Sequence, residues 1–392
     1  MPSRLATSLF LLLTAAWLTA AVPAPWSIFN NNLIFQPPSY YQSHRTVYAR
    51  TLQLPDNSFL VTWEDGAPEP PLISFPVYRS IDGGATWSKY SSIQDTKNGW
   101  GMRYQPFLYL LDVPFGGYPA GTILAAGNSV PANLNQSWVD LYASTDNGRN
   151  WEFVSNIAKG GRAVASNGNP AIWEPFLMMY NNMLVCYYSD QRDPKHGQKL
   201  VHQTTTDLHN WSAAVDDVAY PTYTDRPGMS VVAHIKSTNK YILTYEYGGG
   251  PVGGEVSSSY RYPVFYKVAE NPLEFNKVEG KPVITADSSR TVPDASPYVI
   301  WTPRPGATDG SGIIIMNAGS SGDLYINNDG AGENSWSIVR TTEAGGHSRS
   351  LRIIRSPGKE KLLISGAGYF GQVDTNKVTC GVIDISTRLG NN

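Results

Sequence analysis

The chain is poor in cysteine, in histidine and in charge. Only Cys186 and Cys380 occur among its 392 residues, so a disulfide-stapled scaffold is excluded. Hydrophobic residues make up 41% of the chain, enough for a core that needs no covalent staple. The two thiols either pair across a closed ring of strands or stay free and buried. Cys186 sits in an apolar strand pattern, without the neighbouring histidine and polar setting of a nucleophile. The six histidines (His44, His196, His202, His209, His234 and His347) show no metal-ligand spacing and no His-Glu-x-x-His. No metal and no other cofactor is expected. There is no Gly-x-Ser-x-Gly elbow. The run Gly248-Gly249-Gly250 lacks the Lys-Ser/Thr and helix of a phosphate-cradling loop. Charged residues are only 16%, with 30 basic against 32 acidic and no basic block, so nucleic acid has no electrostatic footprint to follow. No segment sustains a 3.6-residue apolar period, so helices are few.

Gly, Pro and aromatics are plentiful: 36 Gly, 28 Pro, 11 Trp and 23 Tyr. This composition suits a turn-rich β protein. Aromatic surface is also a common way to hold sugars. The N-terminus reads as a secretory signal over residues 1–21, with Arg4 before the apolar run Leu5–Ala16 and small residues at Thr19-Ala20-Ala21. That run is too short for a confident membrane span, and no second one follows. The expectation is a secreted, extracellular monomer whose mature chain, 22–392, is one domain. Sequons at Asn135 and Asn210 are usable in that pathway.

A phrase of the form Ser/Thr-x-Asp-x-Gly-x-x-Trp occurs at Ser80–Trp87 and again at Ser144–Trp151. Thr205–Trp211 is a copy one residue short, and Asn328-Asp329-Gly330 to Trp336 is a looser one. The closing aromatics Trp87, Trp151, Trp211, Phe275 and Trp336 are 64, 60, 64 and 61 residues apart. Short apolar strands recur in step at Phe59–Trp63, Thr122–Ala126, Met183–Tyr188, Tyr241–Tyr245, Ile313–Met316 and Lys361–Ser365. Each fits a hairpin partner. About four strands per repeat, six times over, predicts an all-β, six-bladed β-propeller with antiparallel blades. The last repeat is short of strands. Val378–Ile385 and the segment near Trp26–Phe35 are expected to complete it and close the ring. In the repeated phrase the Asp caps a turn, the Gly takes a left-handed position and the Trp packs between blades. It is a fold device.

In a propeller the starts of the innermost strands and the ends of the second strands open on one funnel. The first set offers Arg45, Gln105, Glu174, Arg226, Ser296 and Arg349. The second offers Glu64/Asp65, Asn128, Asp190, Glu246, Ser320 and Tyr369. Glu174 and Glu246 thus share one rim, from adjacent blades. Two carboxylates facing across a pocket are what glycoside hydrolysis requires. The aromatic walls Tyr245 and Tyr247 would raise the pKa of Glu246, suiting it to acid/base work. Arg226 or Arg45 would keep Glu174 ionised as a nucleophile. Spacing alone leaves open that each is a solvated rim residue. Arg45, Asp65, Gln105, Trp173, Asp190, Arg226, Tyr245 and Tyr247 are the expected substrate contacts, from rim position and residue type. Tyr245 and Tyr247 alternate with Glu246 along a strand, which leaves packing between blades as their other role. Tyr325 and Tyr369 are placed to reach the funnel, and the Gly- and Ser-rich connection Gly248–Tyr262 to form a wall.

The repeated phrase resembles the Asp box of the sialidase superfamily. More specifically, Asn169-Pro170-Ala171-Ile172-Trp173-Glu174-Pro175-Phe176 and Ile242-Leu243-Thr244-Tyr245-Glu246-Tyr247 resemble the two catalytic segments of the fungal exo-arabinanases of glycoside hydrolase family 93. The resemblance spans the mature chain. It implies a retaining exo-enzyme on linear α-1,5-L-arabinan that releases arabinobiose from the non-reducing end. It implies Glu174 as nucleophile, Glu246 as acid/base and no metal. A sialidase would carry Arg-Ile-Pro where this chain has His44-Arg45-Thr46-Val47, although Arg45, Arg226 and Arg349 are available to mimic its arginine triad. A non-catalytic glycan-binding propeller would keep the aromatics without needing the glutamate pair.

Overall fold

A computed structural model describes residues 22–42, 44–255, 257–328, 335–356, 359–371 and 374–386. The proposed signal, the central Asp329-Gly330 of the loosest repeat and Gly358 of the last hairpin turn lie outside these. The strands are β1 (Phe29–Phe35), then a first blade of β2 (Thr46–Gln53), β3 (Phe59–Asp65), β4 (Phe75–Ser80) and β5 (Ser88–Ile93). Blade two is β6 (Met102–Leu110), β7 (Ile123–Ser129), β8 (Ser137–Ser144) and β9 (Glu152–Gly160). Blade three is β10 (Ile172–Tyr180), β11 (Met183–Asp190), β12 (Lys199–Thr205) and β13 (Val215–Val218). Blade four is β14 (Arg226–Ile235), β15 (Lys240–Gly248), β16 (Val264–Ala269) and β17 (Lys281–Pro282). Blade five is β18 (Tyr298–Pro303), β19 (Gly312–Asn317), β20 (Leu324–Asn327) and β21 (Trp336–Val339). Blade six is β22 (Ser350–Ser356), β23 (Lys359–Gly366) and β24 (Val378–Asp384).

Every blade is a four-stranded antiparallel sheet in sequence order, except that β1 supplies the outer strand of blade six beside β24. The expected closure is therefore present, and it ties the N-terminal strand to the C-terminal one. First strands lie against one another around the axis, from β2 through β6, β10, β14, β18 and β22 back to β2. A blade has two apolar faces and can bury both only between neighbours. All seven residues of β7 and seven of eight in β11 are accordingly buried. Both cysteines are free and buried. Cys186 packs in the large core shared by blades two to six, and Cys380 in the cluster at the closure.

The repeated phrases sit between third and fourth strands and act as turns and staples. In the second copy Asp146 Oδ1 accepts from Ser144 Oγ at 2.8 Å and from the Arg149 and Asn150 amides at 3.1 and 2.9 Å. Gly148 has φ +85°, the left-handed conformation that glycine takes without strain. The Trp151 indole then donates to Ser91 Oγ of blade one at 3.2 Å. Trp211 repeats the contact to Ser155 of blade two at 3.1 Å. Phe275 is fully buried in a short 3-10 turn, Phe275–Lys277, in blade four.

Four inner strands carry a register shift near their starts: between Val47 and Arg50, Tyr104 and Phe107, Trp173 and Phe176, and Gly228 and Val231. The residue at each shift has positive φ: Tyr48 at 62°, Gln105 at 56°, Glu174 at 64° and Met229 at 62°. Ser296 at 40° and Ser348 at 55° hold comparable places before β18 and β22. These are bulges in non-glycine residues, each costing of order 1–3 kcal/mol.

Replacing Asp146 by Ala removes the acceptor for four hydrogen bonds, all remote from the funnel. We expect a stability loss of about 1–2 kcal/mol in urea denaturation, with hydrolytic rate per folded molecule unchanged. A rate loss beyond that stability effect would contradict the purely architectural role.

Candidate active site

The bulges decide which side chains face the funnel. Opposite the residue that precedes each bulge stands one residue of the second strand: Val47 faces Glu64, Tyr104 faces Asn128, Trp173 faces Ser189 and Gly228 faces Glu246. A cavity of about 600 Å3 opens there, and Glu64, Gln105, Trp173, Glu174, Arg226 and Glu246 line it.

Glu174 accepts from Ser189 Oγ at 2.6 Å and from the Met229 amide at 2.7 Å, both on Oε2. Its own amide donates to Gln105 Oε1 at 3.2 Å. Glu246 Oε2 accepts from the Ser296 amide at 2.8 Å. Gly228 lies between the two carboxylates: a Cβ there would stand 3.3 Å from Glu246 Oε1 and 3.5 Å from Glu174 Oε2. Those oxygens are therefore no more than 6.8 Å apart, the sum of the two distances.

Burial raises the pKa of Glu174. The Ser189 hydroxyl, the Met229 amide and the Arg226 charge oppose that rise, while Glu64 adds to it. Glu246 is pushed up to about 8, by burial first and then by the charge of Glu174. It has fewer groups to stabilise its ion, the Ser296 amide and Arg226. One proton shared by the pair thus belongs on Glu246. Among the described residues, Arg226 is held by neutral acceptors: Asn167 Oδ1 at 2.5 Å, Gln198 Oε1 at 2.7 Å, Gln191 Oε1 at 3.0 Å and the Gly197 carbonyl at 3.2 Å. Its charge is fixed in place and, among the described residues, is not spent on a direct ion pair.

Of the expected contacts, Gln105, Trp173 and Arg226 line this cavity and the others do not. Asp65 follows Glu64 and so points off the opposite face of β3, into a smaller cavity. Asp190 follows Ser189 and is paired with Arg192 at 2.7 Å. Arg45 is buried and donates to the carbonyls of Pro38 and Asp374 at 3.1 and 3.4 Å. Tyr245 and Tyr247 flank Glu246 and pack away from the funnel. The Tyr245 hydroxyl meets the Tyr220 hydroxyl at 2.7 Å; the Tyr247 ring stacks on Tyr220 at 3.8 Å, and the Tyr247 hydroxyl donates to Asp225 Oδ2 at 2.7 Å. Tyr325 and Tyr369 are absent from the lining, as is Arg349, which is buried and donates to backbone carbonyls such as that of Ser321 at 2.7 Å. Arg226 is the only arginine of the sialidase-like triad on the cavity wall.

Sequence reasoning missed His44, Tyr104, Gln198, His347 and Phe370 on the wall. It also chose Asp65 over its neighbour Glu64. Period-two alternation phased on Glu246 would have selected Glu64 and Ser189. The connection after β15 does supply wall, through Tyr262. It is folded back by the Gly249 amide donating to the Arg261 carbonyl at 2.9 Å.

No protein-family model matches the chain, and no curated protein does. Solved structures do. An α-L-arabinofuranosidase of glycoside hydrolase family 93 from Fusarium graminearum, in complex with arabinobiose, is 42% identical, with 92% of this chain and 99% of that chain covered and a TM-score of 0.87. An α-L-arabinanase from Penicillium chrysogenum, also with arabinobiose, is 43% identical, with 93% and 100% covered and a TM-score of 0.86. The chain belongs to glycoside hydrolase family 93. The NanB sialidase of Streptococcus pneumoniae, at 9% identity, 91% and 71% coverage and a TM-score of 0.57, shares the fold alone.

In this family 93 chain a methyl group at position 228 would enter the space between the two glutamates and stand 2.9 Å from Gln198 Nε2. Gly228→Ala should therefore lower kcat by about 10-fold or more, since displacements near 1 Å cost up to ~100-fold, with little change in melting temperature. An unchanged kcat would show that the gap between the carboxylates is not critical. Arg226→Gln removes the cation that favours ionised Glu174, so the acidic limb of the pH–rate profile should move to higher pH. A stationary limb would remove Arg226 from the electrostatic account.

Proposed function

We propose that the chain is a retaining exo-1,5-α-L-arabinanase that releases arabinobiose from the non-reducing end of linear arabinan. The observation that carries this reading is the glutamate pair, two carboxylates within 6.8 Å across one cavity on a family 93 chain. Retaining glycosidases hold their carboxyls at about 5–5.5 Å, inverting ones at about 6.5–9.5 Å. That bound on one pair of oxygens admits the retaining spacing, and retention itself is what the resemblance to the family 93 exo-arabinanases implies.

Glu174 is the nucleophile and Glu246 the acid/base. Glu174 Oε1, with no hydrogen bond from the described residues, attacks the anomeric carbon. The bond to the leaving oxygen breaks as Glu246 gives that oxygen its proton, leaving a glycosyl-enzyme ester. Water then attacks the same carbon, Glu246 takes the proton from that water, and Glu174 departs as carboxylate. Arg226, the Ser189 hydroxyl and the Met229 amide stabilise Glu174 whenever it carries charge. Gln105, Trp173 and Arg226 are the substrate contacts this reading retains.

Residues 1–21 are read as a secretory signal and 22–392 as the catalytic domain. Among the described residues no helix is long and apolar enough to cross a membrane. Asn135 is exposed and open to glycosylation. Asn210 is less suited, because its amide donates to Asp207 at 2.7 Å within an Asp box.

With debranched arabinan, the sole early product should be arabinobiose with retained configuration, read by chromatography and NMR. Glu174→Ala and Glu246→Ala should each lose at least about 1,000-fold in kcat/KM, the scale of losing a catalytic group. Full activity in either would end the assignment. Because Glu246 must be protonated to act as acid, kcat/KM should fall as pH rises through about 8. Release of sialic acid from a fluorogenic sialoside, without arabinanase activity, would favour the sialidase reading.

A further inference from the structure

Beside the catalytic cavity lies a second one of about 160 Å3, the scale of a single pentosyl unit. Its lining includes Gln42, Asp65, Gly66, Glu69 and Arg103. The two cavities share two lining residues, His44 and Tyr104, which therefore stand between them. We propose that His44 and Tyr104 are the specificity-determining end wall of the glycone site, fixing the released sugar at two units, and that the chamber behind them accepts a third unit once the wall is cut back. This rests on the exo-arabinanase reading above.

Direction follows from blade order. The acid must reach the oxygen of the bond that breaks, so the leaving chain lies on the Glu246 side, toward Tyr262 and Ala295. The glycone then extends the other way from Glu174, past Gln105 and Tyr104 of blade two to Glu64 and His44 of blade one. Polar contacts mark the same line: the Glu174 amide donates to Gln105 Oε1 at 3.2 Å, and the Gln105 amide to Glu64 Oε2 at 3.3 Å.

The partition is held on both sides. His44 Nε2 is 3.4 Å from Glu64 Oε1, and its ring meets Phe370 edge-on at 5.1 Å. The His44 carbonyl accepts from Asn376 Nδ2 at 2.7 Å. The Tyr104 ring packs against Trp173 at 6.1 Å. Behind the wall, the groups suit sugar hydroxyls. Asp65 offers a carboxyl, oriented by the Trp63 indole at 3.4 Å. Arg103 is anchored by Glu69 at 2.7 Å and the Val130 carbonyl at 3.3 Å. Gly66 lets the chamber's wall close on the backbone of Gln42, because a Cβ there would stand 2.6 Å from the Gln42 carbonyl oxygen.

The test is the length of the first product from linear α-1,5-arabino-oligosaccharides. Wild-type protein should release disaccharide. His44→Ala and Tyr104→Ala, made separately, should each release trisaccharide as a major early product. Adding Asp65→Ala should cut that trisaccharide share at least 3-fold. Product length is a ratio, so a slow variant still reports. If both single variants melt as folded proteins yet release only disaccharide, the wall lies elsewhere and the proposal is overturned. Where Tyr104→Ala does not fold, Tyr104→Leu takes its place under the same criterion. If wild-type protein releases no disaccharide, the functional reading fails instead. The wall is then judged by binding to Glu246→Ala protein with and without Tyr104→Ala: affinity for arabinotriose relative to arabinobiose should rise at least 5-fold on opening, and an unchanged ratio overturns it.

Discussion

The left-handed residue near the start of each inner strand is the constraint on which the rest depends. At Gln105, Glu174 and Met229 the ladder skips a residue, and the amide turns out of its own sheet toward the neighbouring blade. The Gln105 amide meets Glu64, the Glu174 amide meets Gln105, and the Met229 amide meets Glu174. Ser296 continues the series onto Glu246. A backbone strained by a few kcal/mol thereby becomes a set of fixed donors, three of them aimed at buried carboxylates and one at the Gln105 amide oxygen. The cost is spread over the ring, because the inner strands pack against one another around the axis. Loosening one bulge would disturb the acceptor in the preceding blade as well.

This arrangement also separates two chemically identical side chains. Glu174 and Glu246 are both carboxylates in the same cavity. Glu174 sits on the bulge itself, so its carboxylate meets the next blade's amide, a buried hydroxyl and the field of Arg226. Glu246 stands on the second strand and receives a single amide. Two like charges this close cannot both be held at neutral pH, and the difference in donors decides which one keeps the proton. Arg226 contributes because its own partners are neutral. Had Asn167 or Gln198 been a carboxylate, the guanidinium charge would have been spent there and the field at Glu174 weakened.

Much of this was legible in the sequence. The Asp-box interval and the second series of apolar strands count six blades, and the missing strand at the C-terminal end points to closure by the N-terminal segment. Phasing by blade placed Glu174 and Glu246 on one rim. Two of the misplacements were slips of one residue. Asp65 and Asp190 were preferred over Glu64 and Ser189, and in a strand one residue is the difference between the two faces. Carboxylates drew attention by type, while the register was fixed by bulges the sequence does not advertise. Tyr48, Gln105 and Met229 are not residues that signal positive φ; glycine, asparagine and aspartate are. His347 and Phe370 come from connections outside the repeat, where a period gives no phase.

The same logic explains why the repeat and the chemistry occupy opposite ends of each strand sequence. Asp boxes lie between third and fourth strands, where Trp151 and Trp211 reach back to Ser91 and Ser155 of the previous blade. Those two contacts are nearly identical, because the two gaps pose the same packing problem, whereas Trp87 donates to its own Gly84 carbonyl and Phe275 has no N–H to give. The funnel poses a single problem, shared by all blades, so no two need answer it alike. At the position that is Glu246 in blade four, blade one has Glu64, blade two Asn128 and blade three Ser189. A symmetric ring of glutamates would have gathered more negative charge than Arg226 can balance. Departure from the repeat therefore limits the negative charge that the funnel gathers around Glu174 and Glu246.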